Sequence, residues 1–214
     1  MDIQFALSLG VLLPAVLALF KLKTIDKPFY WLVVFLWTGL LFELANRFFI
    51  WRFGNNTIPW NVYNILEFLI LMMMFRSWNI GEKFRKWFGW FIAGSIVLWM
   101  GELLFMGSIH RFNSYFAIYY CFTVVIAAVT ALNQLIVTEK RNMLRNPKFI
   151  IAIGLLIFFT FRIFVESILM PILRISPEFN QRIFGIQIYI NLLVNLIYLI
   201  AVICIPKKRT FTNL

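Results

Sequence analysis

The stretch Phe149–Met170, FIIAIGLLIFFTFRIFVESILM, carries no charge until Arg162. A bilayer's hydrocarbon core is about 30 Å thick and takes about 20 apolar residues in a helix. The run is long enough to span it. It opens after Asn146-Pro147-Lys148 and closes before Pro171, residues that punctuate helix ends. The chain is therefore expected to cross a membrane here.

Six more runs of the same kind surround it. The expected spans are about 3–20, 29–50, 60–77, 87–106, 113–137, 149–170 and 184–205. The expected fold class is an all-α membrane protein, a seven-transmembrane-helix bundle. It forms a single transmembrane domain over 1–214 with no soluble domain. Composition agrees, since 62% of residues are hydrophobic and only 14% charged, against about 25% charged in soluble domains. The 25 Phe, with the Trp and Tyr residues, suit a protein that anchors at two lipid interfaces.

The net charge of +11 does not point to nucleic acid, because the cations sit in short loops between the apolar runs. Lys21, Lys23 and Lys27 lie between spans 1 and 2. Arg76, Lys83, Arg85 and Lys86 follow span 3. Lys140, Arg141, Arg145 and Lys148 follow span 5, and Lys207, Lys208 and Arg209 form the tail. The alternate loops hold only Arg47, Arg52, Arg111, Arg174 and Arg182. That asymmetry predicts the N-terminus outside and the C-terminus in the cytoplasm. The first run has no basic residues before it and no small-residue cleavage site after it, so it is expected to be a retained helix. Cys121 and Cys204 fall in different spans and predict no disulfide. No internal repeat is visible, which weakens an inverted-repeat transporter architecture.

Charged and amide side chains inside lipid are costly and mark function or helix–helix glue. Glu43, Asn46 and Arg47 share a face late in span 2. Asn61, Asn64 and Glu67 form a stripe in span 3. Glu102 ends span 4, and His110 and Asn113 follow it. Arg162 and Glu166 stand one turn apart in span 6. Gln187, Asn191 and Asn195 line one face of span 7, which Tyr198 continues. Given the topology, nearly all lie in the outer half, as a polar cavity between helices would require. Thr130 and Asn133 are the main polar residues of the inner half.

Local spacing pairs Glu43 with Arg47 and Arg162 with Glu166. It leaves Glu67 and Glu102 to hold a cation or a proton. The plainer readings are an interfacial Glu43–Arg47 pair, a structural Arg162–Glu166 lock, amide glue on span 7 and a loop position for His110. The run Met72-Met73-Met74 reads as lipid-facing or packing, not as a metal box. A single His excludes a three-histidine zinc site. No partner nucleophile, phosphate loop or dinucleotide fingerprint is present. The candidate ligand-binding residues are Asn61, Asn64, Glu67, Glu102, Asn113, Arg162, Glu166, Gln187 and Asn191, with no catalytic set and no assigned metal.

Tyr63-Asn64-Ile65-Leu66-Glu67-Phe68, Phe112-Asn113-Ser114-Tyr115-Phe116 and the stretch from Asn146-Pro147 to Phe159-Thr160 together resemble a family of bacterial seven-helix integral membrane proteins without an established activity. The resemblance covers the whole chain. It implies a bacterial inner membrane and transfers no functional residue. The topology also resembles that of sensory rhodopsins, but span 7 has no Lys for a retinal Schiff base, so no cofactor is expected.

The leading expectation is a small sensor or binding protein. It takes an extracytoplasmic ligand in the outer cavity and acts through a separate signalling or assembly partner. A transporter or channel subunit comes second, and needs a polar path through Asn195, Tyr198, Asn133 and Thr130. An intramembrane enzyme using Glu67 or Glu102 as acid/base or metal ligand comes third. Beyond such a partner, only the lipid bilayer is implied.

Overall fold

The computed structural model describes residues 3–105, 112–138, 142–168 and 176–206. All regular structure among them is helical. In chain order the α-helices are α1 (Ile3–Ser8), α2 (Leu12–Lys21), α3 (Tyr30–Phe53), α4 (Thr57–Trp78), α5 (Glu82–Phe105), α6 (Ser114–Thr138), α7 (Pro147–Ile168) and α8 (Pro177–Cys204). Helices α3 to α8 each contain a stretch long and apolar enough to cross a membrane, and the N-terminal apolar helix Phe5–Lys21 is shorter.

The N-terminal run is where the structure departs most from the expected spans. It is interrupted by a 3-10 turn at Leu9–Val11. Pro14 explains the break: it lacks an N–H, and its ring crowds the carbonyl four residues back, at Gly10. Helices α5 and α8 begin earlier than their apolar runs. α8 starts at Pro177 because the Ser176 side chain accepts the Phe179 N–H and the proline is preset for a first helical position. At the α3–α4 turn, Gly54 takes a left-handed φ of 69° and returns its N–H to the Ile50 carbonyl.

Small residues allow the close helix approaches typical of membrane bundles. A Cβ added at Gly10 would lie 2.8 Å from Leu192 of α8, and one at Gly154 of α7 would lie 2.7 Å from the Tyr198 ring. Buried Ala127, Ala128, Ala131, Ala152 and Ala201 continue the α6–α7–α8 seam. Large apolar side chains cover the outside, including Phe20, Trp51, Phe105 and Val137, as a lipid-facing surface requires. The methionine run packs as expected: Met72 and Met74 are fully buried. Both cysteines are free.

One end of the bundle gathers the basic loops. There the Lys21 ammonium donates to the Val202 and Ile203 carbonyls at 2.9 and 2.8 Å, closing the C-terminus of α8 with the end of α2. Ser77 and Trp78 both donate to the Pro28 carbonyl, tying the end of α4 to the start of α3. Gln134 of α6 accepts the Gly81 N–H. Described cations Lys27, Arg76, Arg85, Lys86, Arg145 and Lys148 belong to this end, whereas Arg47, Arg52 and Arg182 belong to the other.

Candidate functional site

Away from the basic end, α1, α3, α4, α7 and α8 enclose a cavity of about 340 Å³. Its α3 wall runs from Phe35 through Gly39 and Glu43 to Ile50, a single helical face. At 1.5 Å per residue that face is roughly 20 Å deep. The α8 wall is the amide face read from sequence, Gln187, Asn191 and Asn195, ending on Tyr198. Asn195 donates to Asn191 at 3.3 Å, so the amides bond along their own helix. Phe5 and Ser8 supply the α1 side, and Trp60, Tyr63 and Glu67 supply α4.

Arg162 of α7 organises the deep wall. One terminal nitrogen donates to Glu67 Oε2 at 2.7 Å, and the other donates to Asn64 Oδ1 at 2.7 Å. Its Nε lies 3.6 Å from Glu166 Oε1, within ion-pair but not hydrogen-bond distance. The guanidinium carbon stands 5.0 Å from the centroid of Trp60 and 5.2 Å from that of Tyr120, so aromatic faces supply part of the solvation lost in burial. Glu67 is equally engaged. Tyr63 donates to Oε1 and Tyr120 to Oε2, each at 2.7 Å. Arg162 and Glu67 are each 2% exposed, and a buried ion pair is tolerable only when its remaining hydrogen-bonding capacity is met in this way.

This geometry overturns one expectation. Local spacing pairs Arg162 with Glu166, an ion pair that the structure has at 3.6 Å, but it leaves Glu67 over. In the structure Glu67 is the closer partner, reached across 95 positions of sequence, and Glu166 is the second acid. Glu67 therefore has three donors and is not a spare acid.

The nine expected site residues divide by place. Glu67, Arg162, Gln187 and Asn191 line the cavity. Asn64 and Glu166 stand behind it and hold Arg162. Asn61, Asn113 and Glu102 belong to the junction of α4, α5 and α6. There Asn61 Oδ1 accepts the Asn113 backbone N–H at 3.1 Å. Glu102 accepts the N–H groups of Tyr115 and Phe116 at 3.3 and 2.9 Å, a carboxylate closing the N-terminus of α6. His110 lies outside the described residues. Among the described residues no three His, Cys, Asp or Glu side chains converge on a metal-sized site.

Sequence reasoning missed Ser8, Gly39, Trp60 and Tyr63 as wall residues, and Tyr120 as a donor. Tyr63 had a signal, since it precedes Glu67 by four residues and shares its face. Tyr120 had none. Thr130 and Asn133, the candidates for a path onward, do not extend the cavity: Thr130 donates to the Ile126 carbonyl of its own helix, and Asn133 is exposed. Among the described residues, two buried polar atoms near Arg162 and the cavity have no hydrogen-bond partner, Asn64 Nδ2 and the Tyr198 hydroxyl.

Compared with known proteins, the chain matches no family model, no curated protein and no solved structure. The family resemblance has no matching model behind it, and the site rests on its own residues.

Proposed function

We propose that this chain is a multi-pass membrane sensor or binding protein that takes a small ligand from the extracytoplasmic side into the cavity and acts through a separate protein partner. In this reading the bundle has seven spans in a bacterial inner membrane, with its N-terminus outside and its C-terminus in the cytoplasm. The gathering of Lys and Arg at one end supports that orientation, and with it a cavity in the outer half.

One observation carries the reading. A 340 Å³ space lined by aromatic rings and a few convergent polar groups has the size and lining of a small-molecule site. Its floor stops at Phe35, Val194 and Tyr198, above fully buried Leu32, Leu71 and Phe75. A blind cavity suits binding better than passage, because a route across would need polar lining beyond Tyr198.

Gly39 gives a clean test. A Cβ there meets Tyr63 and Val11 only at 3.6 and 3.8 Å, ordinary contact distances, so Gly39→Leu extends into the cavity without crushing its wall. The wild-type chain in nanodiscs is melted against divalent metals, amines, organic anions and lipids. A binder at 100 times its Kd adds about 2.7 kcal/mol to wild type, and Gly39→Leu abolishes that gain. A panel in which no compound distinguishes the two proteins sinks the reading.

Orientation is tested separately. A fluorescent protein fused after Leu214 matures and fluoresces in intact cells, whereas alkaline phosphatase at the same point stays inactive. The opposite pattern reverses the proposed topology.

A further inference from the structure

The acids and guanidiniums that line or back the cavity do not balance. Glu43, Glu67 and Glu166 stand against Arg162 and Arg47. Arg162 is committed to Glu67, Asn64 and Glu166. Arg47 lies one turn further toward the end of α3, its guanidinium carbon 5.4 Å from the Phe5 centroid. By formal count one carboxyl is left over, and the side chain that brings it into the open volume is Glu43. Ser8 lies beside it but donates its hydroxyl proton to the Phe5 carbonyl at 3.0 Å, and among the described residues no Lys or Arg is within ion-pair distance of Glu43. A charge held at membrane depth seeks a counter-charge.

Two further observations describe what would supply it. The cavity that Glu43 enters is lined by aromatic rings. Phe42 stacks on Tyr63 with centroids 4.0 Å apart, and Phe5, Trp60 and Phe184 complete the wall. Ring faces attract organic cations and bury apolar bodies. At the floor, Tyr198 is 3% exposed, and among the described residues its hydroxyl has no hydrogen-bond partner. Buried hydroxyls normally have one, and this one lines the cavity. A divalent metal fits the lining less well, since it takes six or more oxygen ligands and among the described residues no three His, Cys, Asp or Glu side chains converge.

We propose that the cavity takes an organic monocation, a primary ammonium group on an apolar body, with the ammonium at Glu43 and the body against the aromatic wall. The proposal rests on the binding reading above and names its ligand class.

The test uses the full chain in nanodiscs and calorimetric titration with butylamine, cyclohexylamine and 2-phenylethylamine. The neutral 2-phenylethanol and the anionic 3-phenylpropionate share the apolar body of the last amine. At least one amine is expected to bind wild type, and 2-phenylethylamine to bind at least tenfold tighter than the alcohol. Glu43→Gln keeps the shape of the side chain and is expected to bring amine and alcohol to equal affinity. An amine preference that is absent in wild type, or that survives Glu43→Gln, overturns the proposal. The wild-type comparison needs no variant, so a Glu43→Gln protein that fails to fold leaves it decisive. Binding of the alcohol or the anion that Gly39→Leu abolishes keeps the binding cavity and removes the cation. No binding by any probe removes both.

Discussion

Arg162→Met costs about 3–5 kcal/mol of stability, the range for removing one partner of a buried ion pair. The substitution strips Glu67 of its guanidinium donor and leaves Asn64 Oδ1 without it as well. Two tyrosine hydroxyls remain on Glu67, but they bring no charge. Most of the cost is the uncompensated carboxylate, not the lost attraction. The double variant Arg162→Met, Glu67→Gln is therefore expected to be more stable than Arg162→Met alone, since the neutral amide leaves no bare charge. Denaturant titration of the detergent-purified proteins measures both. A single-variant cost below about 1 kcal/mol, typical of exposed pairs, means that Arg162 does not organise the wall.

Gly154→Val acts through volume alone. Its Cβ would lie 2.7 Å from Tyr198 Cε1 and 3.3 Å from both Tyr198 Cδ1 and Ile197 Cγ2. The tyrosine has little room to retreat, because the Phe35 ring meets it edge-on with centroids 5.7 Å apart. Overpacking of this kind costs about 1–3 kcal/mol, and it moves the floor of the cavity. Thermal melts are expected to show the loss, and Tyr198→Ala in the same chain to recover part of it by opening the space. Full stability in the single variant means that α7 and α8 are not locked at this contact.

Much of the fold was legible because lipid imposes one simple requirement, a long run of apolar residues. Helices α3, α4, α6 and α7 fall close to their runs for that reason. Where a helix extends beyond its apolar stretch, run length fails, and the Ser176-Pro177 start of α8 was visible only as capping chemistry. Pro14 inside the first run was the signal for the 3-10 break, but apolar length masked it. The site was legible as faces and not as pairs. Gln187, Asn191 and Asn195 recur at helical spacing, so their shared face could be read from the chain. Arg162 and Glu67 meet across helices, and no local spacing encodes that meeting. Local spacing assigned Arg162 to Glu166, one turn away, because that is the only neighbour a single helix displays. Glu102 was legible as an intramembrane charge, but its service to the first turn of α6 depends on where that helix begins.

The bond from Lys21 to the Val202 and Ile203 carbonyls spans 181 and 182 residues of sequence, and that separation sets an order of assembly. At about 5–20 residues per second, the first helix waits roughly 10–40 s on the ribosome before its last partner exists. Through that interval the α3 face bearing Glu43 has no α8 opposite it. The cavity is thus the last part of the molecule to form, and its completion coincides with the stitch that joins the two ends of the chain. A nascent chain released before α8 would leave the Glu43 carboxyl on an uncovered helix face, a costly exposure inside a membrane.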